Sequence, residues 1–111
     1  MPLAYFDRME FIETPSFTKW LRAHVTDEEF RVFQNELVEN PEKGDLISKT
    51  GGFRKVRIAY GGRGKSGSGR VIYYWFNDDD QIYLVMGYAK NERSNLSDNE
   101  KAILRNLVAT L

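Results

Sequence analysis

The chain has 111 residues, 41% of them hydrophobic and 14% aromatic, which suits one globular domain over residues 1–111 and excludes a disordered one. Sixteen Lys and Arg balance sixteen Asp and Glu; there is no cysteine, and His24 is the single histidine. That composition excludes a disulfide framework, a cysteine nucleophile and a cysteine-based zinc site, and the lone histidine argues against a structural zinc site or a histidine-based triad, so no metal or cofactor is expected.

No apolar run reaches the roughly 18 residues that cross a membrane, and the first residues lack the apolar core of a signal peptide. A cytoplasmic location without a membrane partner is therefore expected.

In chain order, Met9 to Glu13 is short and alternating and reads as a strand. Thr14-Pro15 then opens a helix, with a hydroxyl cap and proline at the first helical position. Phe17, Trp20 and Leu21 give it a buried stripe, and His24 falls at its end, facing the negative pole of the helix dipole. Thr26-Asp27-Glu28-Glu29 is a capping box that starts a second helix with Phe30, Phe33 and Leu37 inside and Asn40-Pro41 as its stop. Two helices so closely joined should form an antiparallel hairpin.

From Gly44 the period becomes 2. Phe53 to Tyr60 alternates, with Val56, Ile58 and Tyr60 on one face and Lys55, Arg57 and Ala59 on the other. Arg70 to Phe76 and Gln81 to Tyr88 are strands apolar on both faces, joined by the turn cluster Asn77-Asp78-Asp79-Asp80. They should pair antiparallel, lie centrally and be covered by helices on at least one side. Ser97-Asp98-Asn99-Glu100 is a second capping box, opening a last helix with inner residues Ile103, Leu104, Leu107, Val108 and Leu111. The order β-α-α-β-β-β-α defines an α+β domain: an antiparallel sheet with an N-terminal helical hairpin and a C-terminal helix.

The charge is unevenly placed. Lys49 to Arg70 carries seven basic residues (Lys49, Arg54, Lys55, Arg57, Arg63, Lys65 and Arg70) and no acidic one. Such a segment suits a polyanion, an acidic protein or a catalytic anion; it also suits a strand edge guarded against aggregation. Within it, Gly64-Lys65-Ser66 is not a P-loop. The required glycine five residues earlier is Ala59, and the loop leads to a strand, leaving no helix N-terminus for a phosphate. Gly61 to Gly69 is instead a long basic hairpin.

The string from Gly51 to Ser97 resembles the RelE/HigB group of bacterial toxins from type II toxin–antitoxin systems, and is most similar to HigB-like members with a lengthened basic hairpin. The resemblance rests on a basic strand (Lys55, Arg57), on Gly69-Arg70 opening an apolar strand with Tyr73, and on Lys90-Asn91-Glu92-Arg93 before the last helix. It implies a RelE-like fold and a ribosome-dependent mRNA endoribonuclease that inhibits translation. It also implies ribosome and mRNA as partners, and a cognate antitoxin of the helix-turn-helix, HigA-like kind.

Metal-free RNA cleavage requires a deprotonated 2′-hydroxyl, a stabilised phosphorane and a protonated leaving oxygen. Clustered lysines and arginines can supply all three, since neighbouring positive charge lowers a lysine's pKa and guanidinium groups chelate the developing anion. By resemblance, Lys55, Arg57 and Arg70 are catalytic, Arg70 holding the scissile phosphate. Where the RelE pattern has an arginine, this chain has Asn91, and the late tyrosine near Leu96 is absent. Lys90 and Arg93 are the candidates to replace the arginine, and Tyr73 and Tyr88 the candidates for the stacking surface. Arg54, Arg63 and Lys65 are assigned to RNA or ribosome binding. Two other readings stay open: a same-fold toxin with another target, as in the gyrase-inhibiting ParE branch, and a non-catalytic RNA- or antitoxin-binding domain.

If the hairpin grips ribosomal RNA by charge, replacing Arg63 and Lys65 together with Ala weakens ribosome binding and flattens its salt dependence by about two counterions' worth of slope. Affinity measured across a salt series checks this, and an unchanged slope would reduce the hairpin to a connector.

Overall fold

A strand that is apolar on both faces has to be covered on both. The computed structural model, which describes residues 9–61, 69–93 and 95–110 (Asn77 through its backbone alone), does so at the centre of the sheet. The elements are β1 (Glu10–Glu13), α1 (Pro15–His24), α2 (Asp27–Glu39), β2 (Asp45–Leu46), β3 (Arg54–Ile58), β4 (Gly69–Phe76), a short 3-10 turn (Asn77–Asp79), β5 (Gln81–Ala89) and α3 (Asp98–Val108). The five strands lie in the order β1-β5-β4-β3-β2, so β4 is central.

The α+β class is as the sequence implies, with two differences. β2 is a two-residue strand against Arg54 and Lys55, too short for any periodicity to reveal. β1 pairs with β5 in parallel, Glu10 opposite Gln81 and Glu13 opposite Leu84, so the sheet is mixed and not wholly antiparallel. A parallel pair needs a crossover, and here everything from α1 to β4 supplies it.

Side-chain capping starts each helix. Thr14 accepts from the Phe17 amide, and its hydroxyl donates to the Val85 carbonyl at 2.8 Å, tying α1 to β5. Thr26 with Glu29 and Ser97 with Glu100 form complete capping boxes.

Two cores result. α1 and α2 pack Phe17, Leu21, Phe33 and Leu37 against Val56, Ile58, Val71, Tyr73, Ile82 and Leu84. On the other face, α3 and the segment leading to it pack Leu104 and Leu96 against Phe53, Ile72 and Tyr88. One irregularity joins the two. Ile72 faces Met86 but Tyr73 faces Leu84, so Val85 is an extra residue in β5. Such a bulge shifts the alternation by one. Ile82 and Leu84 therefore belong to the first core, and Met86 and Tyr88 to the second.

The last helix is less buried than its sequence stripe implies. Leu104 is buried, but Ile103 is 57% and Leu107 40% exposed; Leu111 lies outside the described residues. α3 packs Leu104 and the partly buried Val108 against the second core and leaves Ile103 and Leu107 toward the surface.

Tyr73 is pinned at the centre of the first core. It is fully buried, its hydroxyl donates to the Pro41 carbonyl at 2.7 Å, and it accepts from the Gly44 amide at 3.0 Å. Burial pushes its phenol pKa up, against the opposing effect of the Gly44 hydrogen bond. Tyr73→Phe strands both backbone groups, and should destabilise the fold by about 1–3 kcal/mol. Urea unfolding would show a lower midpoint with an unchanged slope.

Candidate nucleic-acid interface

Alternation along β3 sends Val56 and Ile58 into the first core and turns Lys55 and Arg57 to the opposite face. The register then builds a row across three strands, with Arg57 directly opposite Arg70 and Arg70 directly opposite Tyr88. Opposed residues have Cβ atoms about 4.5–5.5 Å apart, and like charges so placed repel. A sheet keeps two arginines in that relation at a cost.

Lys55 and Arg57 also line an open groove of about 360 Å³ with Lys43, Gly44, Asp45 and Val56, at the edge of β3. Arg70 is half-buried and donates to its neighbour's carbonyl, Gly69 O, at 3.0 Å. Gly69 itself must be glycine, because a Cβ there would lie 2.7 Å from the Tyr88 carbonyl and 3.0 Å from the Tyr60 ring. Close approach of β4 to β5 at this point holds Arg70 beside Tyr88.

Beyond β5, Ala89 to Glu92 form a turn in which the Glu92 carboxylate accepts from the Ala89 amide at 2.8 Å. The turn carries the exposed Lys90 and Asn91 and returns Arg93 over the Tyr88 ring, 5.6 Å from its centroid. The Arg93 guanidinium is ion-paired with Glu100, the residue that also caps α3. Glu100 is held below its ordinary pKa, first by the Arg93 hydrogen bond and then by the Ser97 amide. Burial raises the Tyr88 phenol, with the Arg93 and Arg70 charges opposing.

The structure thus brings together Lys55, Arg57, Arg70, Tyr88 and Arg93, with Lys90 on the adjoining turn. It separates two others. Arg54 lies on the opposite face, donating to the Glu42 and Gly44 carbonyls at 3.1 and 2.8 Å and paired with Glu42 at 3.7 Å. It fastens the segment before β2 and is turned away from the row. Tyr73, fully enclosed in the first core, offers no ring face to a base. Tyr88 has only 4% of its surface exposed, so its ring is no stacking platform either. Leu96, at the place of the absent tyrosine, is a core residue under α3.

Arg63 and Lys65 lie outside the described residues. The start of their hairpin is anchored, however: the Gly61 amide donates to Glu29 at 2.8 Å. Glu29 and Glu100 are the residues that sequence reasoning credited only with capping, and the motif itself was the only signal they gave. Among the described residues no cluster of His, Cys, Asp or Glu suits a metal ion, and no helix is long and apolar enough to cross a membrane.

Helices on both faces of a mixed sheet, with a basic row that no described helix covers at one end, make this a RelE-like fold. It superposes on the E. coli toxin RelE, solved in the free state with two arginines replaced by alanine, at a TM-score of 0.58 and 10% identity, over 94% of this chain and 99% of that one. The family model described as the RelE toxin of the RelE/RelB toxin–antitoxin system matches residues 9–111, and the chain belongs to that family. It is accordingly a toxin of a toxin–antitoxin system, and membership implies an antitoxin partner.

The Arg93–Glu100 pair gives a testable pH signature. A carboxylate with a depressed folded-state pKa adds stability above its unfolded value, and that stability is lost as pH falls through the folded value. Wild type should exceed Glu100→Gln in stability at neutral pH, since glutamine can keep the cap but not the charge. The gap should close on acidification from about pH 4.3 downward. Thermal melts of both proteins across that range check it.

Proposed function

We propose that this toxin is a HigB-like, ribosome-dependent mRNA endoribonuclease. The observation that supports it most is the direct opposition of Arg57 and Arg70 on the uncovered end of the sheet, an arrangement suited to an anion with charge on several oxygens. In this reading the two guanidinium groups flank the scissile phosphate. The 2′-hydroxyl oxygen attacks phosphorus, the bond to the 5′-oxygen breaks, and the charge that accumulates on the non-bridging oxygens is met by both arginines. The 2′-proton leaves to a base and a proton reaches the departing 5′-oxygen. Lys55, beside Arg57 on the same face, is the titratable side chain placed to take part in that transfer. Arg93 and Lys90 supply positive charge at the far end of the row.

With no histidine or carboxylate in the row, the site lacks a strong general base. It depends on ribosomal RNA to hold the message in an attacking geometry, which is a large share of what any catalyst of this reaction provides. The antitoxin partner is expected to be of the HigA-like, helix-turn-helix kind, and the compartment the cytoplasm, where ribosomes and message meet.

A second reading, an RNA-binding member that does not cleave, draws on Asn91 in the arginine position and on the engagement of Arg93 by Glu100. One assay separates the two. Expression of the intact chain should arrest growth, and purified protein should cut message in programmed ribosomes while leaving free RNA intact. Arg70→Ala should remain folded and lower the cleavage rate about a hundredfold or more. Normal growth with abundant soluble wild-type protein would overturn the nuclease reading, and ribosome binding without product would establish the second.

A further inference from the structure

Tyr88 is the one member of the row whose position the proposed chemistry leaves unexplained. Its side chain is buried, yet its hydroxyl has no hydrogen-bond partner among the described residues. A buried, unpaired hydroxyl costs about 1–3 kcal/mol, and phenylalanine would fill the same space without that cost. The hydroxyl is not in an indifferent place. Its residue stands directly opposite Arg70 in the ladder, under the Arg93 guanidinium, and the charges of Arg70 and Arg93 both act on it.

We infer that the Tyr88 hydroxyl is a ligand for the RNA phosphate that Arg70 grips, donating a hydrogen bond to one of its non-bridging oxygens once Arg93 swings away from Glu100 toward the substrate. The inference rests on reading the row as the phosphate site. Three features carry it. The register fixes Tyr88 next to Arg70 through backbone pairing, not through a mobile side chain. The Arg93 guanidinium that lies over its ring belongs to a long side chain that is 31% exposed, so moving it aside takes rotation about side-chain bonds alone. And the raised phenol pKa keeps the proton on oxygen at neutral pH, leaving a donor and not an anion to face the phosphate.

Arg93 then has two positions with different partners. In the free protein it pairs with Glu100 above the Tyr88 ring; on the substrate it adds charge to the phosphate beside the Tyr88 donor. Glu100 remains bound to the Ser97 amide in both, so α3 does not have to move.

Two measurements test this. In protein labelled with ¹³C at the tyrosine ring carbon bearing oxygen, the Tyr88 resonance (identified by its loss in Tyr88→Phe) should shift on titration with a short DNA oligonucleotide. Such a probe offers phosphates but no 2′-hydroxyl. The shift should vanish in Arg70→Ala. On programmed ribosomes, Tyr88→Phe should melt no lower than wild type and cleave about ten- to a hundredfold more slowly, the range for one hydrogen bond to a charged oxygen. Sulfur in place of one non-bridging oxygen should slow the wild type and scarcely affect Tyr88→Phe, which a merely structural tyrosine would not produce. An unmoved resonance, or a variant that cleaves at the wild-type rate with the wild-type sulfur penalty, would overturn the inference. If the wild type fails to cleave while the resonance still moves, the nuclease reading fails and the phosphate ligand stands.

Discussion

Along β5 the residues Ile82, Leu84, Met86 and Tyr88 are spaced two apart, and in a regular strand all would point the same way. They do not, because Val85 is inserted between the pairs Ile72–Met86 and Tyr73–Leu84. Upstream of that bulge β5 fills the core beneath α1 and α2; downstream it fills the core beneath α3. Without the insertion Tyr88 would be buried under the helical hairpin, and the residue beside Arg70 on the basic face would be small. The row Arg57–Arg70–Tyr88, the seat of Arg93 and the path of the chain into α3 all depend on that single shift in alternation. The same shift leaves Gly87 on the first-core side, where the Trp20 ring lies over it.

Acidic residues complement the basic row without entering it. Glu29 and Glu100 are each the third helical residue after a hydroxyl cap, and each uses its carboxylate twice. Glu29 accepts from the Thr26 amide and from Gly61 at the foot of the hairpin; Glu100 accepts from the Ser97 amide and holds Arg93. Helix starts thereby become the points that steady two ends of the basic surface. Since a capping glutamate is fixed by the backbone it satisfies, its carboxylate faces a defined direction, which that of a solvated surface acid would not: Glu29 offers its second oxygen to Gly61, and Glu100 holds Arg93 with the oxygen that also caps.

Apart from the two-residue β2, strands, helices and caps were legible in the sequence because each has a local signature: period 2 with aromatic and β-branched residues, period 3.6, and Thr or Ser three residues before Glu. The basic face of β3 was legible for the same reason, since Lys55 and Arg57 alternate with Val56 and Ile58. Non-local facts were not. β5 is apolar at nearly every position, so nothing in QIYLVMGY marks where its faces exchange, and Tyr73 and Tyr88 looked equivalent as aromatic candidates. The structure puts Tyr73 in one core, pinned to Pro41 and Gly44, and Tyr88 at the edge of the other. Arg54 counted as one more positive charge, whereas its partners are carbonyls ten and twelve residues away. Thr50 gave no sign of being a fully buried polar residue that closes the loop between Ile47 and Phe53.

The parallel pairing of β1 with β5 sets an order of assembly. β3, β4 and β5 form a meander whose contacts are near neighbours in sequence, whereas β1 reaches its place only through residues such as Gln81, whose amide meets Glu10 across 71 positions. Closing so long a loop is entropically expensive and makes such contacts late in folding. Until β5 has been synthesised, β1 has no strand to join, and the Thr14 cap of α1 lacks the Val85 carbonyl that its hydroxyl meets. A polypeptide that ends before β5 is thus left with β2 and the basic β3 but without a partner for β1 or a closed core. The topology makes the folded basic row conditional on near-complete translation.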